Sequence, residues 1–587
     1  MADAFPPECV HLTPSQTTLV TANQDDRELI YRIRHAVYAQ ELRQHNPDPA
    51  GRLTDACDHW NTYLVAKVAN QISGFISITP PGQRSYSIDK YFSRDDLPFS
   101  TDSLYELRLL TVVPVHRRRL FATLLMYAAF RWVEAHGGEH IVAIGRREIL
   151  PLYTRSGMEL AGLSTQSGAV AYDLLHAPVA KLRAYVPKIS KVLDRIQSKV
   201  DWQLHFPFRK PANCFHGGSF FQAVGDTFAS LGKSRTVINA DVLDAWFPPA
   251  PGVLTALHEH FPWLLRTSPP AASDGLIKTI ANARGVAPSN ILPGAGSSDL
   301  IFRALRHWLT HSSRVLILDP TYGEYSHVLE QVIGCSVDRL LLSPSNNYEV
   351  NLERLEALFT KNYDLVILVN PNSPTGRHIP RADIQTLLGA VPLHTRVWID
   401  ETYVDYVGSD QSLERFAVGT ENVLVCKSMS KAYALSGVRV AYLCAAPHQL
   451  EGLRAITPPW VISLPAQVAA VNALQDPDYY TARYKETAEL RAQLCQELEL
   501  LGWQVTPGVA NFLLCHLPAK GPDAVTMVRD CSAHGLFLRD VRSMGTELGP
   551  RALRIAVKDA VTNQRMLKII KSLIRVPENS PMFRTPC

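Results

Sequence analysis

The stretch Ser428-Met-Ser-Lys431-Ala-Tyr-Ala-Leu-Ser-Gly-Val-Arg439 decides how the rest of the chain is read. Lys431 follows two hydroxyl residues, Ser428 and Ser430, and precedes a turn-forming Gly437, with Arg439 eight residues beyond the lysine. An amine in that setting can attack an aldehyde to form a Schiff base. Two hydroxyls and a guanidinium can hold a phosphate through charge-assisted hydrogen bonds. The same pattern also suits a surface lysine ahead of a buried strand, so the surrounding chain has to decide.

From about residue 214 to 575, strand-like apolar runs alternate with amphipathic helical stretches, the pattern of an α/β protein on a mostly parallel sheet. Arg314–Asp319, 364–370, Arg396–Asp400 and 423–426 read as short strands buried on both faces, each ending where polar residues begin. Ligands bind at the carboxyl ends of such strands. Gly294-Ala-Gly296-Ser297-Ser298-Asp299 opens a helix from Leu300 to Leu309 and offers N–H groups and hydroxyls to a phosphate. Asp319-Pro-Thr-Tyr322 puts an aromatic ring just beyond a strand, where it can stack on a planar ring. Asn370-Pro-Asn372-Ser373-Pro-Thr-Gly376 is a rigid polar turn. Asp400-Glu-Thr-Tyr403 supplies a carboxylate, able to keep a pyridine nitrogen protonated, and a phenol, able to bond the ring's 3-oxygen.

In this order the motifs resemble the fold-type-I pyridoxal-phosphate enzymes of aminotransferase class I/II. The resemblance implies pyridoxal 5'-phosphate as cofactor, Lys431 as the Schiff-base lysine, Asp400 on the pyridine nitrogen, Tyr403 on the 3-oxygen and Tyr322 stacked on the ring. It implies a phosphate site from Gly296, Ser297, Ser298, Ser428, Ser430 and Arg439, and a substrate anion on Arg554, with Asn511 beside the substrate. The chain is similar to the branch of histidinol-phosphate aminotransferase and threonine-phosphate decarboxylase through His216-Gly-Gly218, Glu324-Tyr325 and Asn563-Gln-Arg565. Arg539 matches an arginine that contacts the substrate anion there. Three departures bear on substrate: Ser373, with Asn372 adjacent, stands where the family has asparagine; Ser268 replaces a tyrosine; and the substrate arm reads Asn239-Ala-Asp-Val-Leu-Asp244.

Residues 1–180 read differently. A helix is expected over Asp26–Leu42, strands over 63–68, 72–78, 104–113 and 141–144, and a long helix from Leu120 to Ala135. The strand ending in Val113-Pro114 runs into the basic turn His116-Arg117-Arg118-Arg119, and Leu152-Tyr153-Thr-Arg-Ser-Gly157-Met158 follows later. These motifs resemble the GNAT acyltransferases, whose turn cradles the pyrophosphate of an acyl carrier; the front helix and the strand carrying Glu106 and Arg108 lean towards the autoinducer-synthase-like branch. The family's turn glycines are replaced here by Arg118 and Leu120, so arginine side chains would hold the phosphates, or the donor would be an acyl-carrier-protein thioester instead of acyl-CoA. Glu106 is the candidate base and Tyr153 the candidate acid.

Residues 181–213 read as a linker, a helix broken at Pro187 and then an irregular stretch, and 576–587 as a tail. At 587 residues the chain exceeds one core; its charge of +4 is too small for a nucleic-acid footprint. The ten cysteines form no CxxC pair, no metal site is expected, and no apolar run approaches the roughly 20 residues of a membrane span. Without a signal-peptide pattern, a cytoplasmic enzyme is expected. The resemblances imply a homodimer and an amino acid or amine substrate. Two readings stand: a bifunctional biosynthetic aminotransferase and acyltransferase, or a pyridoxal-phosphate decarboxylase, elimination or cyclisation enzyme whose front half only binds or dimerises. A cofactor-binding regulator fits less well, because the front half does not read as a winged helix.

Overall fold

The computed structural model describes residues 17–574 except 84, 98, 118–119, 168–169, 212–213, 215 and 226. The chain divides into two units, Met1–Pro211 and Ala212–Cys587.

The first unit is built on an eight-stranded sheet. In chain order it comprises β1 (Thr17–Thr21), α1 (Gln24–Arg34), β2 (Thr62–Val68), β3 (Gln71–Thr79), β4 (Leu104–Val112), α2 (Phe121–Ala135), β5 (His140–Arg146), α3 (Leu150–Arg155), β6 (Glu159–Ser167), β7 (Val170–Pro178), α4 (Val179–Tyr185), α5 (Ser190–Gln197) and β8 (Val200–Trp202). The strand order is β6-β7-β5-β4-β3-β2-β1-β8. Alternation along β2 and β3 sends Leu64, Ala66, Ile76 and Ile78 into the core with α2, and Tyr63, Val65 and Phe75 into a separate core with Ile30 and Tyr31 of α1. The helix expected over Asp26–Leu42 begins earlier, behind an Asn23–Asp26 capping box, and passes at His35 into a π-helical turn ending at Glu41.

Strands β4 and β5 pair in parallel only as far as Leu107 and Ala143, although β4 continues to Val112 and β5 to Arg146. Leu109 has a left-handed φ of 55°, and the β3–β4 register shifts between Phe75 and Ser77. The bulge turns β4 away from β5 and leaves a cleft between their ends.

The expected linker is largely part of this unit. Leu182, Leu193 and Ile196 lie in the same core as α2, and β8 pairs in parallel with β1. The apolar spacing that suggested a connecting helix is an amphipathic stripe laid on the sheet. Pro187 sits in a 3-10 turn, Val186–Ile189, between α4 and α5.

The second unit carries a seven-stranded sheet of β9 (Ile291–Gly294), β10 (Arg314–Asp319), β11 (Ser336–Leu341), β12 (Leu365–Val369), β13 (Arg396–Asp400), β14 (Val423–Ser428) and β15 (Ala441–Ala445). Its order is β9-β15-β14-β13-β12-β10-β11, and only β15 runs antiparallel to its neighbours. Strands β12 and β14 are buried at every position, as expected of strands covered on both faces. A smaller antiparallel sheet holds β16 (Gln504–Thr506), β17 (Phe512–His516), β18 (Arg539–Asp540) and β19 (Ala552–Ala556), ordered β16-β17-β19-β18. Register pairs Arg539 with Arg554 across β18 and β19. No described helix is long and apolar enough to cross a membrane.

Candidate active site

A cavity of about 360 Å³ lies where β12, β13 and β14 end, with Val369, Asp400 and Ser428 in its wall. Of the residues singled out in the sequence, it gathers Ser297, Ser298, Tyr322, Ser373, Asp400, Tyr403, Ser428, Ser430, Lys431, Arg439 and Arg554. They converge because parallel strands bring distant segments to one sheet edge.

Lys431 Nζ donates to Asp244 Oδ1 at 2.8 Å and to Ser436 Oγ at 3.4 Å. Burial lowers the pKa of this amine; Asp244 opposes that shift, and the Arg439 and Arg554 charges add to it. Arg439 donates to Ser430 Oγ at 3.4 Å and to the Ser436 carbonyl at 3.2 Å, and no carboxylate among the described residues forms an ion pair with it. Gly296 does not line the cavity, but a Cβ there would strike the Arg439 guanidinium, and its φ of +88° suits glycine.

Asp400 is buried at the end of β13. Its Oδ2 accepts from Tyr325 Oη at 2.7 Å, and its Oδ1 from the Thr402 amide at 3.0 Å and the Thr402 hydroxyl at 2.6 Å. Burial raises its pKa; the Thr402 and Tyr325 bonds act the other way. Tyr403 packs edge-on against Phe512, and burial raises its pKa too. Tyr322 Oη donates to Glu324 Oε2 at 2.8 Å, and the same oxygen meets Ser298 Oγ at 3.0 Å and His216 Nε2 at 2.6 Å. Hydrogen bonding to Cys214 and to the Glu324 carboxylate, which accepts from the imidazole, raises His216 to about 10.

Arg554 is buried, donates to Ser373 Oγ at 3.1 Å and to the Asp241 carbonyl at 3.2 Å, and has no hydrogen-bond partner at Nε among the described residues. Three further expected residues lie outside the cavity wall. The Asn372 amide is occupied by Thr321, Pro320 and Thr375, which pin the turn. Asn511 donates to the Leu243 carbonyl at 3.0 Å and ties the substrate arm to the small sheet. Arg539 forms an ion pair with Asp241 at 3.7 Å. Sequence reasoning assigned no role to Asp244, Thr402 or Asp241. The carboxylates of the arm were its only signal.

These residues fit pyridoxal phosphate: a guanidinium beside hydroxyls, with no ion pair among the described residues, for the phosphate, a buried carboxylate at a strand end for the ring nitrogen, and an amine in the same cavity.

In the first unit, a cavity of about 610 Å³ occupies the cleft at the ends of β4 and β5, lined among others by Arg34, Tyr38, Asp55, Arg108, Arg146 and Tyr153. Asp55 bridges Arg34, at 2.9 Å, and Arg108. Tyr153 reaches this cavity, and burial, with Tyr38 nearby, pushes its phenol up to about 12. Glu106, the expected base, does not line it. Its carboxylate accepts from the Ser87 amide at 2.8 Å, the Ile88 amide at 3.0 Å, the Thr79 hydroxyl at 3.3 Å and the Ser87 hydroxyl. Its lone pairs are used in stapling the 86–90 loop to β4, so it has the wrong place for a base. Arg117 lines the cavity but grips Glu41 through two bonds, 2.5 and 2.7 Å. Arg118 and Arg119 lie outside the described residues.

The second unit thus has the fold of the fold-type-I pyridoxal-phosphate-dependent transferases, with a half-buried lysine at the strand ends. The chain belongs to the aminotransferase class I and II family, whose model matches residues 245–573. The acetyltransferase (GNAT) family model matches residues 28–158. A histidinol-phosphate aminotransferase of Rhodopseudomonas palustris is 27% identical over 350 residues, 58% of this chain and 93% of that protein. The histidinol-phosphate aminotransferase of Moorella thermoacetica is 28% identical over 302 residues, 51% of this chain and 76% of that protein. Among solved structures, histidinol-phosphate aminotransferase from Sinorhizobium meliloti in complex with pyridoxal-5'-phosphate superposes with a TM-score of 0.52 at 23% identity, covering 62% of this chain and 99% of that one. L-threonine-O-3-phosphate decarboxylase from Porphyromonas gingivalis gives 0.51 at 22%, covering 57% and 99%. At these identities the superpositions speak for the fold alone.

Proposed function

We propose that the second unit is a pyridoxal-phosphate-dependent aminotransferase acting on an amino acid or amine, and that the first transfers an acyl group to an amine, the two forming a bifunctional biosynthetic enzyme of the cytoplasm. The observation that carries the first part is that Lys431, the buried Asp400 and Arg439, which forms no ion pair among the described residues, line one cavity. The bound cofactor supplies a ring that accepts electrons from the substrate. Arg439, Ser428, Ser430 and the Gly296–Ser298 turn would hold its phosphate. Asp400 would keep the ring nitrogen protonated, Tyr403 would bond the 3-oxygen, and Tyr322 would provide an aromatic face for the ring. Arg554, whose Nε lacks a partner, receives the substrate carboxylate. Lys431 moves the proton at the substrate α-carbon, which its burial-lowered pKa favours.

In the first unit, Tyr153 donates a proton to the departing thiolate of an acyl-CoA or acyl-carrier-protein thioester, and Arg117 exchanges its Glu41 partner for the donor's phosphate. A homodimer accounts for the exposed Phe261, Trp263 and Leu265 on the helix Pro251–Arg266 and the exposed Trp460.

The test is a visible spectrum of the purified protein with added pyridoxal phosphate, followed by mass spectrometry with amino acids. A cofactor band lost in Lys431→Ala, with release of a keto acid, is the expected result. Release of carbon dioxide would make the enzyme a decarboxylase, and no cofactor band would overturn the reading.

A further inference from the structure

Two segments far apart in the sequence meet at the amine of Lys431. Its Nζ donates at 2.8 Å to Asp244 Oδ1, on the arm that runs from Asn239, and at 3.4 Å to Ser436 Oγ on its own turn. The Ser436 hydroxyl has one proton, which goes to the Ser430 carbonyl at 3.1 Å or to the Asp244 carboxylate, so its oxygen accepts from the lysine in either case. Lys431 lines the candidate active-site cavity, whereas Asp244 and Ser436 do not. Both meet the amine from behind the wall, not from the space a substrate would fill.

Asp244 is itself fixed in place. Asn239 Nδ2 bonds its Oδ2 at 3.5 Å, Lys558 Nζ donates to its backbone carbonyl at 3.3 Å, and Asn511 holds the preceding Leu243 carbonyl at 3.0 Å. The cations that act on Lys431 are Arg439 on its own turn, Arg554 on β19 and Lys558 just beyond β19. Asp400 lines the same cavity without forming an ion pair with the amine, and Asp244 is the carboxylate paired with it among the described residues. Burial and the two arginines disfavour the ammonium form of Lys431, and Asp244 works against them.

We propose that Asp244 and Ser436 are positioning residues for Lys431, holding its free amine at the cavity wall by an ion pair and a hydrogen bond. Under the pyridoxal-phosphate reading, on which this inference rests, the amine is free whenever the nitrogen of the substrate has taken its place on the cofactor. It then accepts the proton from the substrate α-carbon: the C–H electron pair stays with the substrate and cofactor, and the proton bonds to the lysine nitrogen. A long side chain left to itself would spread over many rotamers at that moment. Asp244 and Ser436 confine it to one place, and the negative charge stabilises the ammonium as it forms.

The test is competitive acetylation of the cofactor-free, full-length protein with a trace of acetic anhydride between about pH 6 and 11, the Lys431 peptide being quantified by mass spectrometry. Only the neutral amine reacts, so the profile follows its titration whether or not the protein binds a cofactor. Asp244→Asn removes the anion that favours the ammonium and should move the profile at least about one unit to lower pH. Ser436→Ala should move it the same way by less, and Asp244→Glu should restore most of the shift. In the cofactor-loaded protein, Asp244→Asn should lower kcat about tenfold or more while KM for the amino acid stays within a few-fold. An unmoved acetylation profile in Asp244→Asn, or in Ser436→Ala where the first variant does not fold, overturns the proposal. A loss confined to KM overturns it as well, by placing Asp244 on the substrate. Absence of a cofactor band in the unaltered protein defeats the pyridoxal-phosphate reading, and the catalytic part of this inference with it, even where the profile shifts.

Discussion

The hydroxyl of Tyr325 donates to Asp400 Oδ2 at 2.7 Å while accepting from Trp398 Nε1 at 2.7 Å. Trp398 is two residues before Asp400 on β13, so one strand supplies both the carboxylate and the donor that orients the tyrosine on it. Burial drives Asp400 towards its neutral form, and Tyr325 works against burial. Tyr325→Phe should therefore raise the Asp400 pKa, shift the acid limb of the pH–rate profile upward and cost about 1–3 kcal/mol of transition-state stabilisation. An unmoved acid limb would remove Tyr325 from this role.

Arg554 offers a planar fork with one donor still unpaired. Arg554→Lys keeps a charge but loses the fork, and should lower kcat/KM for carboxylate substrates by about 2–5 kcal/mol, mostly through KM. Decarboxylated amines should be nearly indifferent to the change. Steady-state kinetics on such a pair of substrates checks both statements.

Behind the site, Lys427 Nζ lies 3.1 Å from Asp405 and 3.7 Å from Glu401, all three buried. Lys427→Met leaves those carboxylates without their ammonium and should destabilise the second unit by about 3–5 kcal/mol in chemical denaturation.

Burial, with Glu414 close by, lifts Glu401 from 4.5 to about 7. A carboxyl whose pKa is raised on folding contributes stability that is complete below its unfolded value and is lost as pH rises through the folded one. The melting temperature should fall between about pH 4.5 and 7 relative to Glu401→Gln, in which that step is missing. Parallel melting curves for the two proteins would contradict this assignment.

In the first unit, Glu106→Gln should lower thermal stability by disturbing the donors from Ser87 and Ile88, whereas Tyr153→Phe should leave melting unchanged and slow acyl transfer. A Glu106 variant that melts normally yet loses activity would restore it as a base.

The order of motifs along the chain was enough for both folds, because buried parallel strands need continuous apolar runs and the polar residues at their ends mark the ligand edge. That Lys431, Asp400, Tyr322 and Arg439 would meet in one cavity was legible for that reason: each lies within a few residues of a strand terminus or glycine turn. Glu106 misled because strand position says which residue is buried, not which loop will consume its lone pairs. Residues 181–213 read as a linker because an amphipathic helix shows its stripe but not the surface that covers it. The partners of the functional groups were beyond sequence reading altogether. Asp244 meets Lys431 across 187 residues and Tyr325 meets Asp400 across 75. Such pairs are made by tertiary packing, which sets distance, burial and charge balance at once, and it was the structure that showed which cations have a carboxylate partner among the described residues.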